Sequence, residues 1–195
     1  IGFLYWLTIT QQDIASAVTK RISEGQNQGE FFSAGVLLGL AIAVATGIVV
    51  LFIGTPLDNR VGENTSLFLA LLIVVTPVWD IIRSGLKGQK RVEYAGVLKA
   101  VDRFLRTAFQ IALIIVGYQL GGLLVGHIGA LVIASLVGVL ILGVRPKRPG
   151  IDQIKRLGNY ARFSWLGLLQ TRAYGWMDTI VLTFFVSTSL IGIYE

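Results

Sequence analysis

Long apolar runs, broken at short intervals by clusters of charge, set the pattern of this chain. Crossing a bilayer core of roughly 30 Å takes about 20 predominantly apolar residues. Six stretches meet or approach that length. Span A is Ile1 to about Thr19, with Asp13 as its single charge, and span B is Phe31 to Ile53, inside an uncharged run that reaches Leu57. Span C is about Ser66 to Leu86, with Pro77 inside it and Asp80 and Arg83 near its end. Span D ends at Tyr118, span E is about Gly122 to Val144, and span F starts near Tyr160 and ends near Ser187. The runs are too long for strands and lack period-two alternation, which argues against a membrane β-barrel. The expectation is an all-α polytopic membrane protein of about six transmembrane helices.

Span D is the unusual one. Its uncharged part, Thr107 to Tyr118, is 12 residues and covers only about 18 Å of helix. Counting back about 20 residues from Tyr118, the length a crossing needs, reaches Lys99. Lys99, Asp102, Arg103 and Arg106 are thereby drawn toward or into the membrane, while Lys90, Arg91 and Glu93 stay outside it.

Composition supports the membrane reading. Hydrophobic residues make up 54%, charged residues 14%, and mean hydropathy is +0.71. A soluble domain carries roughly 25% charged residues, so a soluble globule and a disordered chain are both excluded. There is no cysteine and the only histidine is His127, which removes disulfide frameworks, zinc ribbons and most triad chemistry. No metal site, cofactor or nucleotide-binding loop is expected.

The net charge of +6 would suggest nucleic acid in a soluble protein. Here its placement gives another meaning. Lys20 and Arg21 fall between spans A and B. Arg83, Lys87, Lys90 and Arg91 fall between C and D. Arg145, Lys147, Arg148, Lys155, Arg156 and Arg162 fall between E and F. Those twelve alternate with connections that carry only Arg60. Positive-inside asymmetry then makes the basic connections cytoplasmic and excludes a nucleic-acid partner. Span A runs inward from outside, which predicts an earlier helix. The chain begins Ile1-Gly2-Phe3-Leu4-Tyr5 and ends Leu190-Ile191-Gly192-Ile193-Tyr194, each at the start of an inward-running helix, 190 residues apart. This predicts a repeat of six-helix lobes in a parent about twice as long.

Several segments resemble a known family. They are Ala17-Val18-Thr19-Lys20-Arg21-Ile22-Ser23-Glu24-Gly25, then Glu30-Phe31-Phe32, then Arg83-Ser84-Gly85-Leu86-Lys87-Gly88-Gln89-Lys90-Arg91. Asp102-Arg103-Phe104-Leu105-Arg106-Thr107, Ser164-Trp165-Leu166-Gly167, Trp176-Met177-Asp178-Thr179 and Gly192-Ile193-Tyr194 follow. In order and spacing the chain is similar to the oligosaccharide or polysaccharide flippases of the multidrug/oligosaccharidyl-lipid/polysaccharide exporter superfamily, archaeal-type members above all. The resemblance implies about 12 to 14 helices in two lobes around a central cavity. By that template residues 1–150 are helices two to six of the N-terminal lobe. Residues 151–195 are an amphipathic linker, the first helix of the C-terminal lobe and the start of the next. The resemblance further implies a transporter and not an enzyme, in the cytoplasmic membrane of a prokaryote. Such a protein carries lipid-linked saccharide, with its phosphate or pyrophosphate head, outward by alternating access. Its partners are that substrate, membrane lipids and glycan-assembly proteins.

Anionic heads need cations at membrane depth, where charge is costly and usually functional. Lys99, Asp102, Arg103, Arg106 and Gln110 fall at helical spacings that predict one shared face of span D, opposite Leu98, Leu105, Phe109 and Ala112. That face is expected to meet the bundle or a cavity, with Asp102 pairing with Arg106 at i+4. It either contacts phosphate and sugar or snorkels to the inner surface and fixes span D, and the second role suits Lys99 better. Arg172, ten residues past Arg162 and so about 15 Å deeper, and Asp178 are candidates in span F, which the resemblance places on the cavity.

Asp13 and Asp80 are either ion-coupling carboxylates, caps of a helix end or partners of nearby cations. His127 reads as a packed, hydrogen-bonded residue. Gly35-x-x-x-Gly39 and Gly122-x-x-x-Gly126 permit close helix packing. Trp6, Tyr118, Tyr160 and Trp165 suit interface belts, and Ile151 to Tyr160 reads as an amphipathic surface helix. Lys147, Arg148, Lys155 and Arg156 can touch anionic lipid, although positive-inside asymmetry already accounts for them. Two rival functions stand beside the flippase: an ion-coupled multidrug exporter of the same fold and a non-transporting scaffold of a glycan-assembly complex. A cation exporter favours acidic and aromatic cavity groups, against the basic stripe of span D.

Overall fold

The computed structural model describes residues 9–52, 54, 58 and 64–175. Six helices form among them: α1 (Ile9–Ser23), α2 (Gln28–Phe52), α3 (Thr65–Gly88), α4 (Val92–Ile115), α5 (Gln119–Ile141) and α6 (Ile151–Gly175). They correspond in order to spans A to F, so the all-α expectation holds. By length and composition α2, α3 and α5 are apolar enough to cross a bilayer. α4 reaches the length but carries ionic residues through its middle.

Two boundaries differ from expectation. α4 starts at Val92, so Glu93 and Lys99 lie on one continuous helix that projects past the apolar segment. The amphipathic segment and span F are likewise not separate elements: a single helix runs from Ile151 through Gly175. The chain breakers Pro146, Pro149 and Gly150 all precede Ile151, and nothing between Tyr160 and Gly175 interrupts the backbone hydrogen-bond ladder. Ile1 to Thr8, with Trp6, and the predicted end of span F lie outside the described residues, as does the C-terminal half of the proposed repeat.

α3 is the hub. It packs against α1, α2 and α5 and more lightly against α4, while α6 lies on α1 and α2. The shared core joins Ile14, Val18 and Ile22 of α1, Phe31 and Phe32 of α2, Trp79, Ile81, Ile82 and Leu86 of α3, and Leu131 and Ala134 of α5. Between membrane helices, escape from water gives little drive, and close backbone approach matters more. The glycine spacings serve that purpose. A Cβ on Gly35 would lie 2.3 Å from Val18 Cγ2, and one on Gly39 would lie 2.9 Å from Ile81 Cδ1. A Cβ on Gly126 would meet Gln110 of α4 at 3.0 Å. α3 runs unbroken through buried Pro77.

The three basic connections gather at one end. Thr19 Oγ1 donates to Ser84 O (3.2 Å), and Arg91 Nη1 donates to Ile141 O (2.9 Å). Lys147 N donates to Gly29 O (3.3 Å) and Gln153 Nε2 to Glu30 Oε2 (2.6 Å). Lys20 stacks on the Tyr160 ring at 4.8 Å. The α4–α5 turn, with Gly117 at φ 100°, lies at the opposite end.

Candidate functional site

α4 forms the edge of the bundle, packed mainly on α5. Its buried residues are Ala95, Leu98 and Asp102. Burying a carboxylate there requires a partner, and Arg106, one turn on, supplies it: Nη2 donates to Asp102 Oδ2 at 2.5 Å. The Asp102 side chain is 4% exposed and that of Arg106 32%, so the pair straddles the boundary between interior and surface. Asp102 Oδ1, Arg106 Nε and Ser135 Oγ of α5 are buried without a hydrogen-bond partner among the described residues. Gln110 Nε2 donates across the hairpin to Leu123 O (2.9 Å). His127 of α5 lies within electrostatic reach of Arg106.

The predicted stripe is therefore split. Lys99 and Arg103 are exposed, whereas Asp102 is buried and Arg106 and Gln110 are half-buried. Nor is Leu98 opposite: it is 1% exposed and belongs to the core, and Leu105 and Phe109 are half-buried. The geometry explains why. At about 100° per residue, the five polar residues spread over about 100° of arc, with Asp102 at one limit and Arg103 at the other. The bundle direction runs between Leu98 and Asp102, so the stripe lies along the seam and does not point into the bundle. Beyond Lys99 and Arg103 comes an apolar arc, with Val97 61%, Phe104 74%, Ile111 54% and Ile115 80% exposed. α4 thus presents three faces: one packed, one cationic and one suited to lipid.

The cationic face continues onto α3. Asp80, Arg83 and Lys87 follow at i, i+3 and i+7, and Lys87 lies within electrostatic reach of Asp80, Arg83 and Lys99. Asp80 pairs with Arg83 at 3.8 Å, and the guanidinium stands 5.6 Å from the Trp79 ring. The sequence reading used Arg83 and Lys87 only as topology signals. Their helical spacing was the available sign that they join Asp80 on one face.

Asp13 is 1% exposed. It lines a cavity of about 310 Å³ with Ile14, Leu38, Ile42, Gly158, Ala161 and Arg162. A carboxylate of α1 and a guanidinium of α6 therefore share one space. Arg172 lies in the last turn of α6; its side chain, and the whole of Asp178, lie outside the described residues. Among the described residues no His, Asp and Glu gather into a metal-binding group.

Comparison with known proteins places this geometry. No family model matches the chain. It is 31% identical over 194 residues to the probable flippase AglR of Haloferax volcanii, covering 97% of this chain and 40% of that protein. It is 25% identical over 182 residues to the probable low-salt glycan biosynthesis flippase Agl15 of the same organism, covering 93% and 39%. The chain thus spans about two fifths of the length of these relatives. Its fold matches a MOP superfamily transporter from Pyrococcus furiosus with a TM-score of 0.67 at 16% identity, over 92% of this chain and 45% of that one. Sequence and fold agree with what the motifs indicated: the chain is a multi-pass membrane protein, similar over nearly its whole length to archaeal proteins named as probable flippases, and it shares its fold with a MOP superfamily transporter.

Proposed function

We propose that this chain is part of a flippase that moves a lipid-linked saccharide, held by its phosphate or pyrophosphate head, across the cytoplasmic membrane by alternating access. Residues 1–150 then supply helices of one lobe, α6 leads toward the other, and the basic connections face the cytoplasm. The observation that carries this reading is Arg106, fixed by a buried carboxylate at mid-membrane depth, with exposed Arg103 and Lys99 beside it. Taking Tyr118 at the outer boundary, Arg106 lies about 18 Å in, near the midplane of a core of roughly 30 Å. The name of Agl15 adds glycan biosynthesis as the setting.

No bond is made or broken in such a step. The protein has to replace the water that solvates an anionic head while the lipid tail stays in the bilayer. Asp102 holds one edge of Arg106, lowering the cost of its burial and fixing its direction. Arg103, exposed and outside that pair, is a second cation one turn nearer the basic end. Lys87 and Lys99 form the entrance on that side. The acidic groups near this face, Asp80 and Asp102, are engaged with arginines, which disfavours a cationic cargo.

The test is complementation of a strain lacking the full-length parent, read as surface display of the finished glycan at matched protein level. Arginine binds phosphate through paired N–H donors that lysine does not reproduce. Arg106→Lys is expected to lose much of the display and Arg106→Ala more, while Arg60→Ala stays near wild type. Full complementation by both Arg103→Ala and Arg106→Ala, with the proteins inserted and folded, would falsify this assignment.

A further inference from the structure

A second concave surface runs along α2. It is a groove of about 660 Å³ lined by Phe32, Ser33, Val36, Leu37, Leu40, Ala41, Val44, Pro146 and Pro149. Apart from Ser33 the lining is apolar. Ser33, Leu37, Leu40, Ala41 and Val44 follow at helical spacings on one face of α2. Eleven residues separate Ser33 from Val44, which is about 16 Å of helix and about half of a roughly 30 Å core. The groove therefore has the length of one acyl chain in one leaflet.

The end nearest the start of α2 is built differently. Pro146 and Pro149 cap it, and between and beside them Arg145, Lys147 and Arg148 are exposed. This basic turn is pinned to the start of α2. Lys147 N donates to Gly29 O (3.3 Å), and a Cβ at position 29 would lie 2.2 Å from Arg145 O. The prolines fix φ at two of the five positions from 145 to 149, so the cations need little further ordering to meet a ligand. The acidic residues adjoining the two bonded segments are Glu30, next to Gly29, which accepts from Gln153, and Asp152, four residues past Arg148. An apolar outer face is ordinary for a membrane helix, and basic residues are ordinary on the cytoplasmic side. A leaflet-long groove ending under three anchored cations combines the two.

We propose that this groove binds one anionic membrane lipid. An acyl chain lies along Leu37, Leu40, Ala41 and Val44, and the phosphate headgroup rests on Arg145, Lys147 and Arg148. Such a lipid clips the α5–α6 connection to α2 and so steadies the base of α6, which leads toward the rest of the transporter. The site is built on α2 and the α5–α6 connection and does not rest on the transport reading of α4.

The experiment is native mass spectrometry of the purified full-length protein offered equal amounts of phosphatidylglycerol and phosphatidylcholine. One phosphatidylglycerol is expected to be retained in preference by about thirtyfold or more, in line with the attraction of two or three basic residues for an anionic lipid. Lys147→Glu combined with Arg148→Glu removes the preference. Ala41→Trp fills the groove with every charge intact and also removes the retained lipid. Lys155→Glu with Arg156→Glu, on the exposed side of α6, leaves retention unchanged. Melting in phosphatidylcholine micelles confirms that each variant is folded; if Ala41→Trp fails this check, Leu37→Glu takes its place. Equal retention of both lipids by the unaltered protein would overturn the proposal. So would retention by the groove-filled variant, or equal loss in the Lys155 and Arg156 variant, since either reduces the effect to general surface charge.

Discussion

α3 and α4 are consecutive helices of 24 residues each, and they solve opposite problems. α3 is buried along its whole length, from Thr65 and Ser66 to Leu86 and Gly88, whereas α4 buries only Ala95, Leu98 and Asp102. α3 keeps its charges in the half nearest the basic connections. α4 carries them through its middle. Each has an Asp–Arg pair within one turn, but the pair in α4 is short and sealed on the acid side, at 2.5 Å, while that in α3 is loose, at 3.8 Å. A helix enclosed by neighbours can be held by packing. A helix at the edge that carries cations at mid-depth needs an internal counter-charge on one side and a polar space on the other.

The largest expected effect separates the two pairs. Asp102→Leu leaves Arg106 without its carboxylate in a half-buried site and should destabilise by about 2–4 kcal/mol. Asp80→Leu breaks the looser contact, at 3.8 Å, and should cost less, about 1–2 kcal/mol. Denaturant unfolding in detergent measures both, and adding Arg106→Leu to Asp102→Leu should recover most of the loss. Equal costs for the two aspartates would remove the distinction drawn here.

Packing gives the next effect. Gly35→Leu pushes a side chain into Val18 and should cost about 1–3 kcal/mol. Gly121→Ala in α5 meets nothing within 4 Å and should be neutral or slightly stabilising, by up to about 1 kcal/mol. A melting series that ranked them the other way would contradict the close approach of α1 and α2.

The smallest effect concerns the start of α3. Asp58 Oδ1 accepts from Ser66 N (2.8 Å) and Oδ2 from Ser66 Oγ (2.7 Å). The backbone hydrogen bond from Ser66, with that from its hydroxyl, holds the Asp58 carboxyl below its usual value of 3.8. A lowered folded value stabilises above the ordinary carboxylate range, and that contribution is lost as pH falls through the lowered value. The protection factor of the Ser66 amide, its exchange corrected for the intrinsic pH dependence, should therefore fall as pH drops below about 4, the ordinary carboxylate value, and Asp58→Asn should flatten the change. α4 has no side-chain cap at its start and should show no such dependence at Glu93. A pH-independent protection factor at Ser66 in the unaltered chain would rule the cap out.

Much of this contrast could be read from the chain. α2 and α5 were legible because their uncharged runs exceed a membrane thickness, and α3 because its predominantly apolar run carries charge only toward its end. The Asp102–Arg106 pair followed from i+4 spacing, and the reading of Asp80 as the partner of a nearby cation fits its pairing with Arg83. What the sequence did not reveal was which limit of the polar arc on α4 turns inward. That depends on where α5 and α3 lie, and helical spacing carries no information about a neighbour's direction. Leu98 was misplaced for the same reason. The electrostatic reach of Lys99 to Lys87 is a relation between helices and escaped for that cause too. The unbroken run of α6 was missed because charge, not chain breakers, set the expected boundary at Tyr160.

The central claim is that the cationic face of α4 meets a polar path while the adjoining face meets lipid. Arg103 and Phe104 test it best, being neighbours about 1.5 Å apart in depth and about 100° apart in direction. Because the chain has no cysteine, single cysteines can be placed at each position of the full-length protein and exposed to a small charged thiol reagent. The account predicts rapid modification at position 103, slowed by lipid-linked saccharide, and little at position 104. Equal reactivity at the two positions, or a fast rate at 104 with 103 protected, would contradict it.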